Sequence, residues 1–202
     1  SSSVQISGQP GAFSFPSYTY NLADQLMSVT YPSGRVVQTG FDTAGRPASL
    51  TGTQGGVQRV YVNGATYAAN NAIQQLNLST AASGLVEQTS YNARLQPSLM
   101  QISLNGSSLW SLTNTYSGTQ NNGNVGGQTL TIPGASWSQT FGYDGANRLA
   151  SVSEGSSWSQ HFDYDAFGNR WVSSSSLALS PLTPQGQAGY NAATNHGSRN
   201  DV

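Results

Sequence analysis

The sequence predicts an all-β chain of antiparallel β-hairpin repeats, and three observations predict it. An aromatic residue recurs at hairpin-length intervals, large side chains alternate with small or polar ones before it, and turn-forming residues follow it. The anchors are Tyr20, Phe41, Tyr67, Tyr91, Tyr116, Tyr143, Tyr164 and Tyr190, with spacings of 21, 26, 24, 25, 27, 21 and 26 residues. Such a period with variable loops signals an array in which each hairpin, marginal alone in water, is stabilised by its neighbours.

Each unit reads as two short strands and two turns. Trp137, Gln139, Phe141 and Tyr143 alternate with small or polar residues, as do Trp158, Gln160, Phe162 and Tyr164, which puts the large side chains on one sheet face. Asp144-Gly145-Ala146-Asn147 and Asp165-Ala166-Phe167-Gly168-Asn169 then supply side chains that bond the local backbone and residues that tolerate positive φ. Leu149 to Val152 and Trp171 to Val172 resume extended sequence. Arg148 lies five residues past its tyrosine and Arg170 six past, so the second turn is expected to be one residue longer, with a bulge absorbing the difference. Helix signals are almost absent: Tyr67 to Leu78, the best candidate, is broken by paired asparagines.

Composition narrows the function. Charged residues make up 7% of the 202 residues, against about 25% in an ordinary domain. Seven Lys plus Arg against eight Asp plus Glu leave no electrostatic footprint for a phosphate backbone, so no nucleic acid partner is expected. No apolar run approaches the roughly 20 residues of a membrane span, and the N-terminus lacks the pattern of a secretion signal. With no cysteine there are neither disulfides nor thiolate metal sites.

The repeat region is expected to cover residues 12–195 as one array, with a Ser- and Pro-rich connector at 173–189. Residues 196–202 break off where a fresh strand should follow, so the piece is expected to come from a longer array.

Three phrases carry a family resemblance: Phe41-Asp42 followed by Gly45-Arg46, Tyr143-Asp144 followed by Arg148, and Tyr164-Asp165 followed by Gly168-Asn169-Arg170. They resemble the YD repeats of Rhs (rearrangement hotspot) proteins, related to toxin-complex shells and teneurins. The units at Tyr67, Tyr91 and Tyr116 lack the Asp and match by spacing alone. The resemblance implies a β-ribbon forming a long curved sheet, a segment of a hollow shell. In bacterial Rhs proteins and insecticidal toxin complexes such a shell encloses a C-terminal toxic segment. The implied partners are further repeats and a C-terminal cargo segment of the same parent polypeptide, secreted or at the cell surface. No DPxGL-like phrase occurs, so neither the family's self-cleavage region nor its toxin is expected in this chain.

Physical reasoning assigns the anchors to a ladder in which rings stack across adjacent strands. Asp144 and Asp165 are expected to accept hydrogen bonds from turn amides, and Arg148 and Arg170 to lie over rings or pair with those aspartates, fixing register. A glycosidase-like reading of the aspartates is the lesser one, because Asp repeated at a turn has a structural explanation. His161, Asp163 and Asp165 could share a strand face, but Thr140 and Gly142 stand at the matching places of the sister repeat, so no metal or other cofactor is expected. No nucleophile, base and oxyanion arrangement can be assembled, and the chain reads as non-enzymatic. Two alternatives differ in class. Trp110, Trp137, Trp158 and Trp171 could stack sugars in an adhesion or carbohydrate-binding module. Open sheet edges could instead add chains head to tail into fibres.

Overall fold

The computed structural model describes residues 2–5, 7, 11–79, 84–191 and 197. These residues form sixteen β-strands and one short 3-10 helix, Gln187–Gly189. The chain divides into two compact units, Ser1–Trp110 and Ser111–Val202.

The first unit opens with a separate hairpin of β1 (Ser2–Gln5) and β2 (Ala12–Phe15). Its sheet is built from β3 (Ser17–Tyr20), β4 (Leu26–Thr30), β5 (Val36–Phe41), β6 (Pro47–Gln54), β7 (Val57–Tyr67), β8 (Ile73–Leu78), β9 (Leu85–Tyr91) and β10 (Pro97–Leu104). Each strand pairs antiparallel with the next in the chain. β11 (Ser107–Tyr116) crosses the boundary between units. From Ser111 onward it pairs with β12 (Val125–Ile132), followed by β13 (Ala135–Tyr143), β14 (Leu149–Glu154), β15 (Trp158–Tyr164) and β16 (Arg170–Ser175). Tyr67 to Leu78 is thus the end of one strand, a turn and the next strand.

Opposite residues of an antiparallel pair share a face, so register sorts the side chains. In the second unit Phe141 faces Val152, while the alternate row sets Thr140 opposite Ser153 and Ser153 opposite Ser159. The second face is a surface of hydroxyls: Thr140 bonds Ser153 at 3.1 Å and Thr129 bonds Ser138 at 3.0 Å. The first unit repeats this, with Tyr18, Val29, Val37 and Gly52 aligned on one face and Thr19 bonded to Ser28 at 2.7 Å on the other. Uncharged hydroxyl pairs satisfy one another across the strands, which explains how a polar face forms with so few charges.

Among the described residues only Val152, Phe162 and Val172 are buried apolar side chains, at 8%, 9% and 9% exposure. They are buried because the segment after β16 returns over them, placing Leu179 against the cluster. That segment also lends the Pro184 carbonyl to the Val172 N–H, at 2.9 Å. β16 extends through Ser175, so the connector begins three residues later than position 173.

Candidate functional site

Tyr20, Phe41, Tyr67, Tyr91, Tyr116, Tyr143 and Tyr164 are each the last residue of a strand: β3, β5, β7, β9, β11, β13 and β15. Tyr190 follows the 3-10 helix instead. What comes after six of the anchors is one repeated turn. In it the first residue's N–H bonds the carbonyl four residues on, and the fourth residue's N–H bonds the first residue's carbonyl. This holds for the turns at Asn21–Gln25, Asp42–Arg46, Ala68–Ala72, Asn92–Gln96, Asp144–Arg148 and Asp165–Asn169. The fourth position has positive φ in all six: Asp24, Gly45, Asn71, Leu95, Asn147 and Gly168. This is a type I turn closed by a left-handed residue, a three-residue hairpin loop with a bulge.

In five of the six, all but the one that begins at Ala68, the first side chain locks the turn. Asp144 Oδ1 accepts the N–H groups of Ala146 and Arg148, both at 2.9 Å, and Oδ2 accepts Arg148 Nε at 2.7 Å. Asp42 does the same with Ala44 and Arg46, whose Nη2 lies 2.8 Å from Oδ2. Asp165 accepts from Phe167 and Asn169, and the Asn169 amide bonds its second oxygen at 2.7 Å. Asn21 with Gln25 and Asn92 with Gln96 reproduce the arrangement without charge, side-chain amide to side-chain amide at 2.8 Å in each. Aspartate with arginine, aspartate with asparagine, and asparagine with glutamine are therefore interchangeable solutions of one geometry. Sequence reasoning missed the asparagine pairs because it looked for Asp; an Asp or Asn after the aromatic, with a polar donor four residues later, is the signal that finds them.

Three expectations are corrected. The two clearest turns have equal length: Asp144 N–H bonds Arg148 and Asp165 N–H bonds Asn169. Asn169 therefore holds the place of Arg148. Arg170 begins β16 and lies outside the turn; of its two expected contacts it makes the one with a ring, its guanidinium 4.8 Å from the centre of the Phe162 ring. The anchor rings also do not stack. They occupy alternate strands, about 9.6 Å apart at two strand spacings, beyond the roughly 7 Å reach of a ring pair. The ring pairs among the described residues, Phe15 with Tyr18 and Phe15 with Tyr31, involve no anchor couple.

Five of the eight anchors act through their hydroxyls instead. Tyr143 donates to the Val125 carbonyl at 2.9 Å, Tyr164 to Leu149 at 2.8 Å and Tyr91 to Ile73 at 3.0 Å. Tyr67 donates to Pro47 and Tyr190 to Arg170. Every acceptor is the first residue of the even-numbered strand of the preceding repeat. Two arginines complete the connection from turn to ring: Arg46 lies 4.4 Å from the centre of the Tyr67 ring and Arg148 4.2 Å from that of Tyr164. Tyr20, on the edge strand β3, remains 56% exposed.

The carboxylates are acceptors, not acids. The Arg148 backbone N–H is the main cause that holds Asp144 below the ordinary carboxylate value, aided by the Arg148 side chain and Ala146 and opposed by desolvation. Asp42 is lowered in the same way by Arg46. At Asp165 desolvation pushes upward, and the Asn169 side chain with the Asn169, Phe167 and Gly168 N–H groups outweighs it. Among the described residues no group of three or more His, Asp and Glu could hold a metal ion.

The tryptophans form no single platform. Trp158 packs against the buried cluster and Trp137 is 39% exposed on β13. Trp171 pairs with Asp163, one residue from the buried Val172 and so on the opposite face, and Trp110 is half-buried on β11.

Residues 20–57 match the RHS Repeat family. No curated protein matches the chain. Among solved structures it is similar to TcdB2-TccC3, with a TM-score of 0.70 and 16% identity, covering 87% of this chain and 10% of that one. It is similar to TcdB2-TccC3-Cdc42, with a TM-score of 0.69 and 16% identity over 85% of this chain and 10% of that one. The Photorhabdus luminescens Tc holotoxin pore gives a TM-score of 0.63 and 16% identity over 76% of this chain and 8% of that one. The chain thus spans about a tenth of the chains it matches, and at this identity the likeness is one of fold. Residues 20–57 thus match an RHS repeat, and most of the chain shares the fold of these structures, the likeness to Rhs, or YD-repeat, proteins that the sequence suggested.

Proposed function

We propose that this chain is a non-catalytic wall segment of an Rhs-type shell whose parent polypeptide encloses a C-terminal toxin or other cargo, outside the cell or at its surface. One observation carries the reading: five of the eight anchors, Tyr67, Tyr91, Tyr143, Tyr164 and Tyr190, tie their repeat to the preceding one by the same hydroxyl bond, so the unit is made for extension by further copies. The near absence of buried side chains supports it, because sheets with uncovered apolar faces are stabilised by neighbouring repeats. Similarity to TcdB2-TccC3 structures supports a wall within a much larger polypeptide. Carboxylates committed to turn amides support a structural role over an enzymatic one.

The test is protection. In the parent polypeptide, expressed with the reading frame beyond residue 202, the C-terminal segment should survive proteinase K. It should be digested once residues 20–190 are removed. Equal digestion in both overturns the proposal.

A further inference from the structure

At the strand ends opposite the Asx turns, Arg35, Gly52, Thr53, Gln54, Arg59 and Tyr61 line a groove of about 610 Å³ in the first unit. Its construction starts with a missing side chain. Gly52 pairs with Val37 on one side and Arg59 on the other. A Cβ there would stand 2.7 Å from Tyr61 Cε2 and 3.3 Å from Arg35 Nε, so glycine makes the room that the tyrosine ring and the guanidinium occupy. Arg35 Nη2 donates to Tyr61 Oη at 2.6 Å, and the guanidinium lies 5.0 Å from the ring centre. The tyrosine oxygen accepts in this contact and keeps its own proton to donate.

The charge of the groove is uncompensated. The ion pairs of Arg46 and Arg148 lie in the Asx turns, away from the groove. Neither Arg35 nor Arg59 meets a carboxylate, and no acidic residue lines the groove. Two guanidiniums in one concave surface, in a chain with a net charge of -1, are a carboxylate-sized positive field. The rest of the lining is the hydroxyl of Thr53, the amide of Gln54 and the apolar wall of Val57, groups that suit a peptide backbone better than a densely charged phosphate polymer.

We propose that this groove binds an acidic polypeptide segment, with Arg35 and Arg59 taking its carboxylates and Tyr61 serving as the platform that positions Arg35. The inference rests on the groove alone and stands whether or not the shell encloses cargo.

The experiment titrates the whole chain into fluorescein-labelled hexaglutamate at low ionic strength and follows polarisation. Binding should weaken with added salt, and hexaglutamine should not bind. Arg59→Gln, at an exposed position that leaves the sheet intact by circular dichroism, should weaken binding about tenfold or more. Arg35→Gln should do the same, which separates loss of charge from any local effect of one substitution. Absence of hexaglutamate binding, unchanged affinity in both variants, or equal binding of hexaglutamine overturns the proposal. Tighter binding of oligogalacturonate than of hexaglutamate overturns the polypeptide assignment in favour of an acidic glycan.

Discussion

Leu95, at φ 60, stands where Gly45 at φ 75 and Gly168 at φ 87 stand in sister turns. An L-residue in this region costs about 1 kcal/mol, and Leu95, 41% exposed, recovers only part of that by burial. Leu95→Gly should therefore stabilise the chain by about 0.5 kcal/mol, once about 0.5 kcal/mol for the freer unfolded chain is set against the relief. Urea denaturation reads the difference. Gly45→Ala should destabilise for the converse reason.

The aspartates add a pH dependence whose sign is fixed by their lowered values. Asp42, Asp144 and Asp165 bind protons less readily folded than unfolded, so their contribution is complete above the ordinary value of 3.8 and is lost as pH falls through the lowered folded values. The denaturation midpoint should drop below about pH 4. The triple Asp-to-Asn variant at these positions should show a flatter acid limb, since Asn21 and Asn92 already hold the same turn without charge.

At the scale of the strand and turn, stability is a matter of tethering each repeat to the last. Tyr164→Phe removes only the hydroxyl that bonds the Leu149 carbonyl, and should cost about 1 kcal/mol, measured by urea denaturation. A Phe variant as stable as the parent would mean that ring packing alone carries the anchor. The edge strand β16 shows a second device. Its Val172 N–H is capped by Pro184 in a connector that also carries Pro181. Proline cannot donate to an added strand, which blunts the edge. Truncation after Ser175 should expose Val152, Phe162 and Val172, raising dye binding to apolar surface and shifting the chain to larger species in size-exclusion chromatography.

At the scale of the whole molecule, strands pair with their neighbours in sequence and, among the described residues, no side chain is fully enclosed. A defect should therefore stay local. Phe162→Asp, which places a charge in the buried cluster of the second unit, should shift amide signals of β14 to β16 and leave those of β4 to β6 in place. Loss of dispersion across all residues would contradict an array held by nearest neighbours.

What was legible in the sequence is what is local. The period of two shows in Phe141 and Tyr143 without any partner strand, and an Asx turn closes within five residues, so all-β hairpin repeats and strand ends at the anchors follow from adjacent residues alone. The contacts between repeats were not legible, because they join residues about twenty positions apart whose meeting depends on register. Only the assembled sheet decided that Tyr164 meets a carbonyl and not another anchor ring, and that Asn169 rather than Arg170 completes the turn. The sheet likewise decided that Arg35 and Arg59 share a groove over Gly52, since two strand spacings exceed the reach of a ring pair while long polar side chains span them.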